Sequence, residues 1–253
     1  MVKVNVYGID GSIQEKVDLP AVFHTPFRPD LIQKSFNVLH SNKRQPYGSD
    51  PMAGKRHSVK SVGKGRGMSR VPRLTQGRAA ALAPCVVGGR RAHPPKAERN
   101  WKEKMNKKER DFARNSALAA TADKSLVSTR GHRFDEKLTL PVVLDDTFET
   151  MKKTKDVIEV FQKLGLYDDI LRSMNGKHIR AGKGKRRGRK YRIPKSVLVV
   201  STKEEINKPS RNLPGVDIVT TGMVNIEHLA PGGTAGRLTI FTASALKKLG
   251  GAK

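Results

Sequence analysis

Residues 138–146 read LTLPVVLDD. From Leu138 to Leu144 only Thr139 is polar, so the run lacks the alternation of a half-solvated strand and suits one covered on both faces. Downstream, Val157, Ile158, Val160, Phe161 and Leu164 recur at helical spacing until Gly165, and Leu166–Met174 predicts a second short helix. Three more apolar runs follow: Ser196–Ser201 (SVLVVS), Val216–Thr220 (VDIVT) and Leu238–Thr242 (LTIFT), the last leading into a helix over Ala243–Leu249. Short apolar strands separated by helices predict an α/β fold. The expected form is a three-layer α/β/α body around a roughly four-stranded parallel sheet with right-handed crossovers.

Upstream, residues 2–6 (VKVNV) alternate, Gly8–Gly11 turns, and Ser12–Val17 returns, which predicts a small hairpin. Pro29 then opens a helix with Leu31, Phe36, Val38 and Leu39 as its apolar stripe. Residues 1–42 are thus the first part of the body. It resumes over 98–253, where Glu98–Asp123 reads as one helix. The first half of that helix is basic (Arg99, Lys102, Lys104, Lys107, Lys108, Arg110), and its second half, ARNSALAATAD, is small enough to pack closely. Trp101 is the only tryptophan. Two uses fit it, stacking on a base or covering an apolar patch, and the second is the plainer.

Between these parts, residues 43–97 have no period at all. The run KRQPYGSDPMAGKRHSVKSVGKGRGMSRVPRLTQGRAAALAPCVVGGRRAHPPK is crowded with glycine and proline. It carries Lys43, Arg44, Lys55, Arg56, Lys60, Lys64, Arg66, Arg70, Arg73, Arg78, Arg90, Arg91 and Lys96 against a single acid, Asp50. Such a segment cannot offset its conformational entropy by burying apolar surface, so a polyanion must order it. A structureless loop of this length belongs in a compact domain only if the loop itself is functional. A second basic segment, residues 176–192, carries Lys177, Arg180, Lys183, Lys185, Arg186, Arg187, Arg189, Lys190 and Arg192 with no acid. Glycines between cations suit a backbone that follows a phosphate chain closely.

The whole chain supports that partner. It has 253 residues and a formal charge of +27, from 50 Lys and Arg against 23 Asp and Glu. That excess favours nucleic acid or an anionic membrane. The membrane reading fails, since no apolar run approaches the ~20 residues of a spanning helix and the basic stretches lack an apolar helical face. No apolar signal segment opens the sequence, and one cysteine, Cys85, fits a reducing cytoplasm.

Enzyme motifs are not legible. Residues 48–56 (GSDPMAGKR) put Arg56 where a phosphate loop needs Ser or Thr, and no strand precedes them. The seven histidines are scattered without a cysteine pair, so neither a metal site nor a cofactor is expected. Asp145 and Asp146 at a strand's carboxyl end suit Mg²⁺, but the plainer reading is that they cap the next helix.

Five motifs, in order, carry a resemblance: GKGRGMSRVPR at 63–73, GGRRAHPP at 88–95, RNSALAATA at 114–122, RAGKGKRRGRKY at 180–191 and LAPGGTAGRLTIFTASALKKL at 229–249. The chain resembles the L4 (uL4) family of large-subunit ribosomal proteins in its archaeal and eukaryotic form. The absence of a long lysine-rich tail after Lys253 points to the archaeal branch. The resemblance implies a non-enzymatic structural constituent of the large subunit, in the cytoplasm, bound to 23S rRNA through the cations named above and beside neighbouring ribosomal proteins. It further implies that a long arm threads the rRNA and that its tip, Gly65, Arg66, Gly67, Met68, Ser69, Arg70 and Val71, helps line the exit tunnel near the nascent polypeptide. Doubled back, such an arm reaches on the order of 80 Å at ~3.3 Å per residue. The role of the apolar stretch Ala79–Val87 stays open. A free RNA-binding or ribosome-assembly factor is the alternative function.

Overall fold

The computed structural model describes residues 3–251. Val2, the first residue of the expected strand 2–6, and the last two residues of segment 98–253 lie outside them. The chain divides into two units, one running to His40 and resuming at Lys104, the other Ser41–Glu103.

In chain order the strands are β1 (Lys3–Tyr7), β2 (Ile13–Asp18), β3 (Val59–Lys60), β4 (Arg73–Leu74), β5 (Val142–Leu144), β6 (His178–Ile179), β7 (Tyr191–Arg192), β8 (Leu198–Ser201), β9 (Asp217–Thr220) and β10 (Thr239–Thr242). The helices are α1 (Pro29–Asn42), α2 (Lys107–Ala119), α3 (Lys124–Thr129), α4 (Thr154–Lys163), α5 (Tyr167–Asn175), α6 (Asn207–Ser210), α7 (Ile226–Leu229) and α8 (Ala243–Gly251).

The larger unit is built on a six-stranded mixed sheet of order β2-β1-β5-β10-β8-β9. Its only antiparallel pair is β1 with β2; β1, β5, β10, β8 and β9 run parallel. This corrects the expected four-stranded parallel sheet, because the N-terminal hairpin joins it rather than standing apart. The alternation in β1 is real, but its buried residues, Val4 and Val6, face the core through a partner far away in sequence. Local reading cannot supply that partner. The Asp145 amide donates to the Tyr7 carbonyl at 3.0 Å and extends the ladder. Strand β2 forms the edge, and its exposed Glu15, Lys16 and Asp18 blunt it against further pairing.

Successive strand residues point to opposite faces, and each face has its own apolar cluster. Val142, Leu144, Val199 and Ile240 pack with Val157, Val160 and Phe161 of α4 and Ile170 of α5. Val143, Leu198, Val200 and Phe241 pack with Ile32 of α1, Ala113, Ala117 and Leu118 of α2, and Ala245 and Leu246 of α8. Strand β5 is shorter than the run 138–144 because pairing begins at Val142, just after Pro141, whose nitrogen has no hydrogen to donate. The expected helix 98–123 is also shortened. It begins at Lys107 because Asn106 is extended (φ −61°, ψ 141°) and Asn100 folds onto the Lys102 amide at 2.9 Å instead. Small residues on α2 do allow close approach, and the Ser116 hydroxyl both accepts from the Arg28 amide (2.8 Å) and donates to the Pro26 carbonyl (3.0 Å). Asp145 accepts from the Asp146 amide (2.8 Å) and the Thr147 hydroxyl (2.7 Å), and Asp146 accepts from the Ser244 amide (2.9 Å) at the start of α8. Both carboxylates therefore cap helical turns.

Several buried charged side chains of this unit are held by ion pairs or by backbone carbonyls. Arg237, fully buried, donates to the carbonyls of Ser196 (2.9 Å), His228 (2.8 Å) and Gly215 (3.3 Å) and pairs with Asp217 at 2.8 Å. Lys195 holds the other Asp217 oxygen at 2.8 Å. Arg130 donates to the Pro231 carbonyl at 2.7 Å, and burial together with Arg237 and Arg172 pushes its pKa down to about 10, so it stays charged at neutral pH. Asp169, fully buried, accepts from His132 Nδ1 (3.0 Å), the Arg133 amide (3.0 Å) and Arg172 Nε (2.8 Å).

Burial alone would raise the Asp169 pKa, but the hydrogen bonds from His132, Arg172 and the Arg133 amide outweigh it and hold the carboxyl below its ordinary range. Burial pushes His132 down more than Asp169 raises it, so the ring is neutral and its Nδ1 carries the proton. Both folded values lie below the unfolded ones, so both contributions are present at high pH and lost as pH falls. The expected stability curve is flat above pH ~7, drops from about 6.5 as His132 is forced to charge, and drops again below about 3.9 as Asp169 protonates. Asp169→Asn is expected to cost about 3 kcal/mol in urea unfolding at pH 7 and to make the lower limb shallower. The remainder comes from Asp217, where burial is again outweighed, by Arg237 and Lys195, and the carboxyl is held below its ordinary range. A variant with an unchanged limb would place the acid sensitivity elsewhere.

Candidate nucleic-acid interface

The basic segment 176–192 is a hairpin rather than an irregular loop. β6 and β7 pair His178 with Arg192 and Ile179 with Tyr191, and Lys183–Arg187 forms a helical turn between them. Gly188 closes that turn at φ 78°, a conformation open to glycine at no steric cost. The Arg189 amide donates to the Gly184 carbonyl (3.2 Å) and the Arg180 amide to the Lys190 carbonyl (2.8 Å). With its backbone satisfied locally, the hairpin turns its cations outward. Lys177, Lys183, Lys185, Arg186, Arg187, Arg189, Lys190 and Arg192 are exposed, and Arg180 is half-buried. Lys177 and Lys190 lie 4.7 and 5.5 Å from the centre of the Tyr191 ring.

The hairpin has a rigid root. Ser173 of α5 donates to the Pro194 carbonyl at 2.6 Å, and Arg172 donates to the Lys195 carbonyl at 2.8 Å. Gly215 (φ 74°) packs so closely that an added Cβ would meet the Pro194 oxygen at 2.4 Å. The same surface extends to Arg211 and to Lys195, whose ammonium is already paired with Asp217; both line a cavity with Met174 and Ile193 beside Lys177. The sequence reading stopped at Arg192 and missed both, since neither belongs to a local run of cations.

The remaining candidate residues lie in Ser41–Glu103. Among the described residues of this unit only Ala81 is buried. Lys43, Arg44, Lys55, Arg56, Lys60, Lys64, Arg66, Arg70, Arg78, Arg91, Lys96, Arg99 and Lys102 are exposed, while Arg73 and Arg90 are half-buried. β3 and β4 form a two-residue ladder, and Ala80 bridges to Arg73 on the other side of β4. The Leu74 and Ala81 amides donate to the Ala79 and Pro72 carbonyls. The start of the apolar stretch 79–87 therefore packs within the unit, whereas Val87 is fully exposed. Gly65–Val71 lie in the loop that the β3–β4 ladder closes.

Not every candidate cation is free for a phosphate. Arg73 donates to the Arg78 carbonyl (2.7 Å) and the Ser69 hydroxyl (3.1 Å), which makes it a staple of its own loop. Arg56 pairs with Asp50. Lys60, Arg66, Arg73 and Arg78 nevertheless converge on one cavity of about 710 Å³ that also touches Met68. Trp101 departs from the plainer expectation, because the Arg44 and Arg99 guanidinium carbons lie 3.7 and 4.2 Å from its ring centre. Among the described residues no cluster of His, Cys, Asp and Glu is arranged to hold a metal, and no helix is long and apolar enough to cross a membrane.

Comparison with known proteins adds descent to this geometry. The model of the ribosomal protein L4/L1 family matches residues 17–252. The chain is 54% identical over 248 residues to the large ribosomal subunit protein uL4 of Methanocaldococcus jannaschii, covering 98% of both chains. It is 49% identical to the uL4 protein of Methanosphaera stadtmanae, covering 99% of this chain and 97% of that one. It is 50% identical to the uL4 protein of Methanococcoides burtonii, covering 99% of both. Similarity at that level along nearly the whole length leaves one assignment: the chain belongs to the ribosomal protein L4/L1 family.

Proposed function

We propose that this chain is a structural constituent of the large ribosomal subunit, working in the cytoplasm and holding 23S rRNA in place rather than catalysing a reaction. The observation that carries this is the hairpin 176–192, nine cations on a locally satisfied backbone without one acid. An exposed set of that kind repels itself in water and is stabilised when phosphates replace its counterions. The relatives named above share the chain from end to end and are large-subunit proteins by name.

The body, 1–42 with 98–253, is read as a three-layer α/β/α domain; an apolar cluster on each sheet face supports this. Residues 43–97 are read as an extended, non-globular arm, supported by burial of Ala81 alone among the described residues of Ser41–Glu103. The arm's tip is Gly65–Val71, where Gly65 and Gly67 have positive φ and open space around them. Arg66 and Arg70 there suit rRNA on one side, and Met68 and Val71 suit the wet wall of the exit tunnel, past which the nascent polypeptide moves. Neighbouring ribosomal proteins complete the surroundings, with Val87 as one exposed apolar point for them.

Two results are expected. Replacing Arg186, Arg187 and Arg189 together with alanine weakens binding to 23S rRNA fragments and reduces the slope of log affinity against log salt by about 2. An unchanged slope would remove the hairpin from the interface. Trypsin is expected to cut the free chain first between Lys55 and Arg91, beyond the hydrogen-bonded root of the arm, and to spare it once rRNA is bound. Equal protection without RNA would show that the arm orders itself.

A further inference from the structure

Tyr47, Pro94, Pro95 and Trp101 wall a cavity of about 630 Å³ at the root of the arm. Its shape is held by bonds between the two chain segments that meet there. Ser41 donates to the Trp101 carbonyl at 2.7 Å, and Asn42 and Glu103 exchange two hydrogen bonds, at 3.2 and 2.9 Å. The Ser49 amide donates to the Pro95 carbonyl at 3.0 Å. Gly48 lies so close to the opposite segment that an added Cβ would meet the Ala97 nitrogen at 2.5 Å. The cavity therefore exists before any ligand arrives.

Its lining is mixed: Arg91, His93, Lys96 and Arg99 suit phosphate, while Tyr47, Pro94, Pro95 and Trp101 are flat walls that phosphate alone does not use, and Tyr47 stands 60% exposed. Arg44 and Arg99 lie over the indole, and a guanidinium held this way offers its outer face to another flat π system. Glu98 adds a carboxylate acceptor, which repels phosphate but suits a base amino group. Arg91 and Lys96 on the same lining can neutralise the flanking phosphates.

We propose that this cavity receives a single unstacked RNA base, stacked on the Arg99–Trp101 pair and donating from its amino group to Glu98. The proposal rests on the rRNA-binding reading and adds a base-specific anchor to it. An amino-bearing base such as cytosine is favoured over uracil.

Trp101 is the only tryptophan, so its emission reports this cavity alone. The experiment mixes the full chain with oligocytidine, oligouridine and an abasic ribose-phosphate strand of equal length. Binding is followed by native gel and Trp101 emission is recorded in parallel. Oligocytidine is expected to quench the emission saturably and at lower concentration than oligouridine, and the abasic strand to bind without quenching. Tyr47→Ala, at an exposed position that leaves the fold alone, is expected to raise the oligocytidine midpoint about tenfold. Binding of oligocytidine with unchanged emission, or equal quenching by the abasic strand, would overturn the base pocket and leave the rRNA reading standing. Equal midpoints for cytidine and uridine would overturn the Glu98 contact. If no strand binds, the pocket fails, while the rRNA reading is decided by binding of the same chain to 23S rRNA fragments.

Discussion

Like-charge repulsion is the constraint under which this chain folds. With 50 Lys and Arg against 23 Asp and Glu, few acids are available, and the body places several of them at structural joints. Asp217 and Asp169 each meet cations that also tie down backbone carbonyls. Glu149, buried, takes hydrogen bonds from the Thr202 amide and hydroxyl and the Thr242 hydroxyl, binding the ends of β8 and β10. Both arginine networks reach Lys195, whose carbonyl accepts from Arg172 and whose ammonium pairs with Asp217. That residue stands three places beyond the basic hairpin, so the most cationic segment of the body is rooted in both networks.

The excess charge left over is spread along two segments that differ physically. The hairpin 176–192 pairs its own two strands, while Ser41–Glu103 leaves most of its side chains exposed and relies on short ladders, prolines and staples such as Arg73. Prolines reduce the conformational entropy lost when such a segment is ordered. That difference is what the proposed function uses, with the hairpin as phosphate anchor and residues 43–97 as the part that reaches into rRNA.

Legibility in the sequence followed how local each signal was. The strands β8, β9 and β10 and the helices α1, α4 and α5 are visible in periodicity, since each apolar run is nearly coextensive with its element. The place of the N-terminal hairpin in the sheet is not, because β1 pairs with β5 across more than a hundred residues of chain. The start of α2 was obscured because basic residues at 99–104 have good helical propensity, whereas Trp101 and Asn100 bind neighbours outside a helix. The cations of the interface were legible as charge runs, but not which of them are already engaged, as Arg56 and Arg73 are. Lys195 and Arg211 were missed because only the fold brings them beside Lys177.

The most direct test of the central claim is sedimentation of the chain from its own cells through a high-salt sucrose gradient. The account predicts that it travels with mature large subunits, in stoichiometric amount, after loosely bound factors have been stripped. A substantial pool at the top of the gradient, or one confined to immature particles, would contradict it and point to a free RNA-binding or assembly factor.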